Sequence, residues 1–256
     1  MTPALRTEGL SKTWGGIHVN DRISLTLPVG ARYALIGPNG AGKTTFVNLL
    51  TGLYPPSAGR VLLGDTDVTR LAMHERVKRG MVRTFQITTL FPGLTALESV
   101  VLAICERTGI AHTWRKTVAR LGAPIDEARA LLERLGLASA AGTPTRNLPY
   151  GKQRLLEIAL ALALTPKVLL LDEPASGIPA GDSTEVFEVI AQLPSDVTVL
   201  FIEHDMELVF RFAQRVAVLV DGRLLTEGTP GEIAADPRVR DVYLGETAAG
   251  TGAGAG

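Results

Sequence analysis

The chain alternates short apolar runs with segments whose apolar residues recur at helical spacing. Three runs, at residues 32–36, 168–171 and 197–202, are apolar almost throughout, which is typical of parallel strands buried on both faces. Further along, residues 215–220 and 223–227 flank an Asp-Gly dipeptide, the signal of a β-hairpin. The pattern predicts an α/β fold with a parallel core sheet.

Two other parts of the chain follow different patterns. Residues 23–27 alternate apolar and polar side chains, as expected of an antiparallel strand with one exposed face in an N-terminal β-subdomain. Between about residues 94 and 164 the strand signals are replaced by helical spacing. One predicted helix face, ended by Gly136, carries Ala128, Leu131, Leu132 and Leu135. We therefore predict a helical subdomain inserted in the α/β core.

Composition narrows the class of protein. The 256 residues include 26 Lys and Arg against 26 Asp and Glu, so no net positive charge favours binding to nucleic acid or a membrane surface. The first residues lack the apolar core of a secretion signal, and no apolar run is long enough to span a bilayer. The single cysteine, Cys105, excludes an internal disulfide and fits a reducing compartment. We expect a cytoplasmic chain.

A glycine-rich segment follows the first apolar run and precedes an apolar helix. Its residues are Gly37, Pro38, Asn39, Gly40, Ala41, Gly42, Lys43, Thr44 and Thr45. In the pattern Gly-x-x-x-x-Gly-Lys-Thr, backbone amides and a helix N-terminus surround an anion. Lys43 would reach the β- and γ-phosphates of a nucleotide, and the Thr44 hydroxyl would ligate Mg²⁺. A glycine-rich turn with a surface lysine is the alternative, but the flanking strand and helix favour a nucleotide site.

Polar residues follow two later strands. Asp172 and Glu173 end the second apolar run, at the sheet edge where parallel sheets bind ligands. We assign Mg²⁺ to Asp172 and the attacking water to Glu173; a pair of exposed strand-end acids is the alternative. His204 could stabilise a γ-phosphate, although taken alone it is more often a loop histidine. Gln86 could hold the lytic water or a magnesium-bound water, but by itself carries little information.

Residues 148–153 resemble the signature motif of ATP-binding cassette (ABC) proteins, usually Leu-Ser-Gly-Gly-Gln. The segment reads Leu148, Pro149, Tyr150, Gly151, Lys152 and Gln153, and it precedes Asp172 as that motif does. The resemblance covers residues 5–246 and implies one ABC-type P-loop ATPase domain. Residues 247–256 are Ala, Gly and Thr, a composition that predicts a disordered tail. It implies that Gln86 belongs to the Q-loop, residues 176–179 to the D-loop, and that His204 is the switch histidine. Trp14 matches the aromatic that stacks on adenine; a buried strand-end tryptophan is the alternative.

The resemblance also implies cofactors and partners. ATP and Mg²⁺ would bind each subunit, and two ABC ATPase subunits, identical or different, would close around two nucleotides. Tyr150, Gly151 and Lys152 of one subunit would then contact the nucleotide held by the other. The groove behind Gln86 would hold a helix of one of two membrane permease subunits, on the cytoplasmic side of the membrane.

Four stretches, at residues 82–86, 90–95, 155–159 and 242–246, resemble the branched-chain amino acid uptake ATPases. In that family a solute-binding protein delivers the solute to the permease. Relatives carry urea, short amides or other organic solutes, so the substrate stays open at this point.

Two prolines depart from the ABC pattern. Pro149 replaces the signature serine, and Pro179 stands where the D-loop usually has aspartate or asparagine. We therefore expect an asymmetric heterodimer whose partner completes the composite site. Two other classes compete with the transporter ATPase. A soluble cassette ATPase acting on DNA or ribosomes usually has long coiled coils, two cassettes in one chain or basic extensions, and the sequence predicts none of these. A P-loop kinase or other NTPase would explain Lys43 and Asp172 but not residues 148–153.

Overall fold

Two β-sheets of different kinds form the frame of the protein, whose computed structural model describes residues 2–84, 90–110 and 122–250. The first sheet is antiparallel, with the strand order β2 (Ile17–Leu27), β1 (Leu5–Trp14), β4 (Ala58–Leu63) and β5 (Thr66–Asp67). The second has the order β10 (Arg223–Gly228), β9 (Arg215–Val220), β3 (Arg32–Ile36), β8 (Thr198–Ile202), β7 (Val168–Asp172) and β6 (Met81–Arg83). Its strands from β9 to β6 are parallel, and β10 pairs with β9 antiparallel. The predicted parallel core sheet and hairpin are confirmed.

The helices cover this frame. They are α1 (Lys43–Thr51), α2 (Met73–Lys78), α3 (Ala96–Arg107), α4 (Gly122–Arg134), α5 (Tyr150–Ala163), α6 (Ala180–Ala191), α7 (Met206–Phe212), α8 (Pro230–Ala235) and α9 (Pro237–Gly250). Short 3₁₀ turns at Ala138–Ala140 and Thr145–Asn147 link α4 to α5.

Strands β7 and β8 send alternate side chains to opposite faces of the parallel sheet. On one face, Leu169, Leu171 and Phe201 belong to the apolar core that helices α3 to α6 cover. On the other face, Leu170 and Leu200 join a second core with α1 and the antiparallel sheet. Because both faces are buried, these strands are apolar at consecutive positions.

The antiparallel sheet has one exposed face at β2. Ile23, Leu25 and Leu27 are buried, whereas Ser24 and Thr26 between them are exposed. This alternation confirms the antiparallel strand predicted at residues 23–27.

The stretch from α3 to α5 is helical wherever the structure describes it, apart from 3₁₀ turns, loops and an isolated bridge between Thr95 and Pro144. The buried face of α4 includes Ala128, Leu131 and Leu132, as the spacing predicts. These helices agree with a helical subdomain, whose limits stay a prediction. At the other end, α9 runs to Gly250, so it includes the first four residues of the predicted tail; residues 251–256 lie outside the described residues.

The carboxyl ends of three parallel strands lie side by side. Leu35 of β3 pairs with Ile202 of β8, and Ile202 pairs with Asp172 of β7. The segments that leave these strands therefore start at one edge of the sheet, which is where open parallel sheets bind their ligands.

Candidate nucleotide-binding site

The segment after β3 is a tight loop that depends on glycine. Gly37, Gly40 and Gly42 have φ values of 149°, 80° and 91°, which residues with a side chain rarely adopt. A Cβ atom on Gly37 would lie 2.0 Å from the carbonyl oxygen of Leu219, because β9 packs directly against the loop. Glycine is therefore required both for the conformation of the predicted phosphate loop and for its packing.

Lys43 lies inside this loop. Its side chain is buried, and Nζ donates to the carbonyl oxygens of Gly37 at 2.6 Å and Pro38 at 2.9 Å. Lys43 is also the first residue of α1, whose N-cap Gly42 has no side chain to cover the first helix amides. A fixed cation and the positive end of a helix dipole thus meet at one place, an arrangement suited to binding phosphate.

Glu173 and His204 follow neighbouring strands and contact each other. Nε2 of His204 lies 2.7 Å from Oε1 of Glu173, and the two side chains are 47% and 40% exposed. The φ of Glu173 is 49°, a left-handed conformation that costs on the order of 1–3 kcal/mol in a residue with a side chain. Such strain concentrates at functional sites, and here the strained residue is the one whose carboxylate contacts the histidine.

A buried acid, Glu203, connects the backbone on both sides of this pair. Its Oε1 accepts a hydrogen bond from the Ala175 amide at 2.8 Å, and its Oε2 accepts one from the His204 amide at 3.1 Å. Burial raises the pKa of Glu203. The local sequence predicts no role for this residue, because an acid beside a loop histidine is ordinarily exposed. In the fold it ties the loop after β7 to the loop after β8.

Asp172 ends β7 and is paired with an arginine. Nη2 of Arg83 lies 2.5 Å from Oδ2 of Asp172, and Nη1 donates to Oδ1 of Asn48 at 2.6 Å. The hydroxyl of Thr44, which is exposed, and the Asp172 carboxylate are oxygen donors of the kind that Mg²⁺ prefers. Among the described residues no three His, Cys, Asp or Glu side chains group to hold a metal. This donor set suits a Mg²⁺ ion that takes further ligands from nucleotide phosphates and water.

Trp14 lies at the end of β1, and its side chain is 47% exposed. Its ring packs edge-on against Tyr54, with centroids 5.4 Å apart, and Nζ of Lys12 lies 4.1 Å from the ring centroid. The ring is therefore not buried, and adenine stacking on it stays a prediction.

A family model described as "ABC transporter" matches residues 20–176, more than half of the chain. The chain belongs to the ABC transporter family. A second model, described as "Branched-chain amino acid ATP-binding cassette transporter", matches residues 223–249. Both agree with the resemblance identified from the sequence motifs.

Individual relatives match almost end to end. The chain is 40% identical over 251 residues to the high-affinity branched-chain amino acid transport ATP-binding protein LivG of Escherichia coli (strain K12), which covers 95% of this chain and 98% of LivG. It is 36% identical, with the same coverage, to the corresponding protein BraF of Pseudomonas aeruginosa. A crystal structure of an ATP-binding cassette of an ABC transporter in its ADP conformation is also similar. It has a TM-score of 0.84 at 29% identity, over 96% of this chain and 100% of that one.

The ABC signature segment begins α5. Pro149 is the N-cap residue, Tyr150 is 40% exposed, and Gly151 is buried. Nζ of Lys152 pairs with Oε1 of Glu185 on α6 at 2.7 Å, so a phosphate would have to compete with this carboxylate for the lysine. Contact between these residues and a nucleotide on a second subunit stays a prediction.

Residues 176–179, the predicted D-loop, pack against the same helix. A Cβ atom on Gly177 would lie 3.1 Å from the Tyr150 hydroxyl, and Nη2 of Arg154 donates to the Ser176 carbonyl at 3.3 Å. Pro179 then caps α6. The signature helix and the D-loop therefore form one packed unit, although the sequence gives no sign of this contact.

A largely apolar groove of about 440 Å³ lies between α2, β6, α3 and α5. Its lining includes Val77, Leu102 and Leu160, and the ionisable residues Arg83 and Glu157 also border it. Phe91 and Leu102, which both line the groove, are exposed. Gln86, predicted to serve catalysis and metal binding beside this groove, lies outside the described residues.

Proposed function

We propose that this chain is the ATP-hydrolysing subunit of a membrane importer for branched-chain amino acids or a related small organic solute. The proposal rests mainly on the Glu173–His204 pair, which lies at the same edge of the parallel sheet as the loop that contains Lys43. The solute class comes from the relatives, which are named as high-affinity branched-chain amino acid transport proteins.

The phosphate loop would hold the nucleotide. Lys43 would exchange its carbonyl partners for oxygens of the β- and γ-phosphates, and the loop amides would donate to the same groups. Thr44 and Asp172 would hold Mg²⁺, which when bound offsets the negative charge that develops on the phosphates. Trp14 would support the adenine.

Glu173 would act as the general base. The oxygen of a water molecule attacks the γ-phosphorus, its proton passes to the Glu173 carboxylate, and the bond from phosphorus to the bridging oxygen breaks to release ADP. In the neutral imidazole with a proton on Nε2, His204 donates to Glu173 across the 2.7 Å contact. That hydrogen bond would hold the carboxylate towards the attacking water, and Gln86 would help to position the water.

The transporter would be completed by other chains. The apolar groove beside β6 suits a helix of a membrane permease, and two permease subunits and a second ABC ATPase would complete the complex. None of the helices that the structure describes is long and apolar enough to cross a membrane. We place this chain on the cytoplasmic side of the membrane. A solute-binding protein would deliver the solute to the permease, and we expect no nucleic-acid partner.

Purification of the tagged chain from gently solubilised membranes of its native host tests the proposal. We expect two hydrophobic permease chains and a second ABC ATPase to co-purify, and the reconstituted complex to take up branched-chain amino acids with ATP. A purely soluble complex, or bound nucleic acid, would leave the ATPase chemistry intact but overturn the transport function.

A further inference from the structure

Arg83 joins two elements of the candidate metal site. It is the last residue of β6, and its guanidinium contacts both Asn48 of α1 and Asp172 of β7. The side chains of Arg83 and Asp172 are 16% and 20% exposed, so water screens this ion pair less than a surface pair.

The fold fixes the position of this guanidinium. Arg83 pairs with Leu170 in the parallel register of β6 and β7, and the next amide, of Thr84, donates to the Leu170 carbonyl at 3.0 Å. Asn48 is buried on the phosphate-loop helix and accepts from Nη1. Both ends of the arginine are thus held, and its charge stays beside the Asp172 carboxylate.

We propose that Arg83 is a positioning residue that competes with the divalent cation for Asp172 and so lowers the metal affinity of the nucleotide-bound chain. The inference rests on the proposed role of Asp172 as a metal ligand. Arg83 occupies one oxygen of Asp172, cancels the carboxylate charge that attracts a cation, and repels a divalent ion placed nearby. Removing the guanidinium should therefore tighten metal binding.

The test is a Mn²⁺ titration of the purified full chain loaded with ADP, followed by electron paramagnetic resonance of free Mn²⁺. In Arg83→Met we expect the Mn²⁺ dissociation constant to fall about tenfold, whereas Arg83→Lys, which keeps a cation, should change it less. Arg60→Met removes an exposed arginine that pairs with Glu8 in the antiparallel sheet, and should leave the constant unchanged. Thermal unfolding of each variant checks that it is folded.

A double variant separates this inference from the proposed function. In an Asp172→Asn background, Arg83→Met should tighten Mn²⁺ binding much less, because the competition for that carboxylate is gone and only the direct charge repulsion is relieved. Unchanged or weaker binding in Arg83→Met, or an equal gain in the Asp172→Asn background, overturns the inference. If Asp172→Asn alone leaves Mn²⁺ affinity unchanged, the assignment of Asp172 as a metal ligand fails, and the inference fails with it.

Discussion

Replacing Glu173 with glutamine should separate nucleotide binding from hydrolysis. The amide has the same size, adopts the same backbone conformation and can still accept the hydrogen bond that joins Glu173 to His204 at 2.7 Å. It cannot accept the proton of the attacking water. Loss of a general base typically slows a reaction about 10²–10⁴-fold, which corresponds to about 3–5 kcal/mol of barrier. We therefore expect ATP hydrolysis to fall by this factor while ATP affinity stays within about twofold.

The assay is phosphate release by the reconstituted transporter, with ATP affinity measured separately on the same variant. Glu127→Gln is a matched control, since it neutralises a half-exposed carboxylate that pairs with Arg107 on the helical side of the molecule. The Glu173→Gln variant, unlike this control, should also accumulate closed ATP-bound dimers with the correct partner. Normal turnover in Glu173→Gln, with Glu127→Gln also normal, would refute the assignment of Glu173 as the base.

Three other variants test individual contacts. Lys43→Ala should weaken ATP binding at least about 100-fold in a fluorescent-nucleotide titration, because charge-assisted contacts to the phosphates are lost. Arg76→Met should lower the free energy of unfolding in urea by about 2–5 kcal/mol, since the buried guanidinium donates to the carbonyls of Leu49 and Leu50 at 2.7 and 2.6 Å. Burial raises the pKa of Glu157 to about 7, from 4.5. The folded chain therefore keeps a proton that the unfolded chain releases, stability falls as pH rises through that interval, and Glu157→Gln should flatten the slope.

Each of these variants has a contrary result that is equally clear. Unchanged ATP affinity in Lys43→Ala would show that the loop does not hold the phosphates. Unchanged unfolding of Arg76→Met would mean that the carbonyls at the end of α1 find other donors. A pH slope that persists in Glu157→Gln would assign the proton to another buried group, of which Glu203 is the nearest in character.

The parallel sheet and the phosphate loop could be predicted because local pattern and global environment agree there. Residues 168–171 are apolar at every position since both faces of β7 are buried. The glycines after β3 supply the positive φ values that the loop requires, and glycine is easily recognised in the sequence. Strand β1 lacks such a clear pattern. Its pairing shifts register near Gly9, whose φ is 55°, and such bulges interrupt the two-residue period on which strand prediction depends.

The site residues that escaped prediction act through contacts between distant segments. Arg83 and Asp172 are 89 residues apart, and Glu203 reaches the amide of Ala175 across 28 residues. In its local sequence pattern, neither Arg83 nor Glu203 differs from a surface residue. Only the register of β6, β7 and β8 brings them to the sheet edge where Glu173 and His204 meet.

Replacing Pro149 with serine tests the effect of the proline that this chain has in place of the usual signature serine. As the N-cap of α5, Pro149 has no side-chain oxygen to accept from the helix amides, whereas serine is a preferred cap worth roughly 1 kcal/mol. Pro149→Ser also frees the unfolded chain, at a cost of about 0.4–1 kcal/mol, so net stability should barely change. If the missing hydroxyl limits contact with the partner's γ-phosphate, the same substitution in a Glu173→Gln background should increase ATP-dependent dimers of this chain in size-exclusion chromatography. Equal dimer fractions with and without the serine would mean that the asymmetry originates elsewhere, with Pro179 of the D-loop as the next residue to exchange.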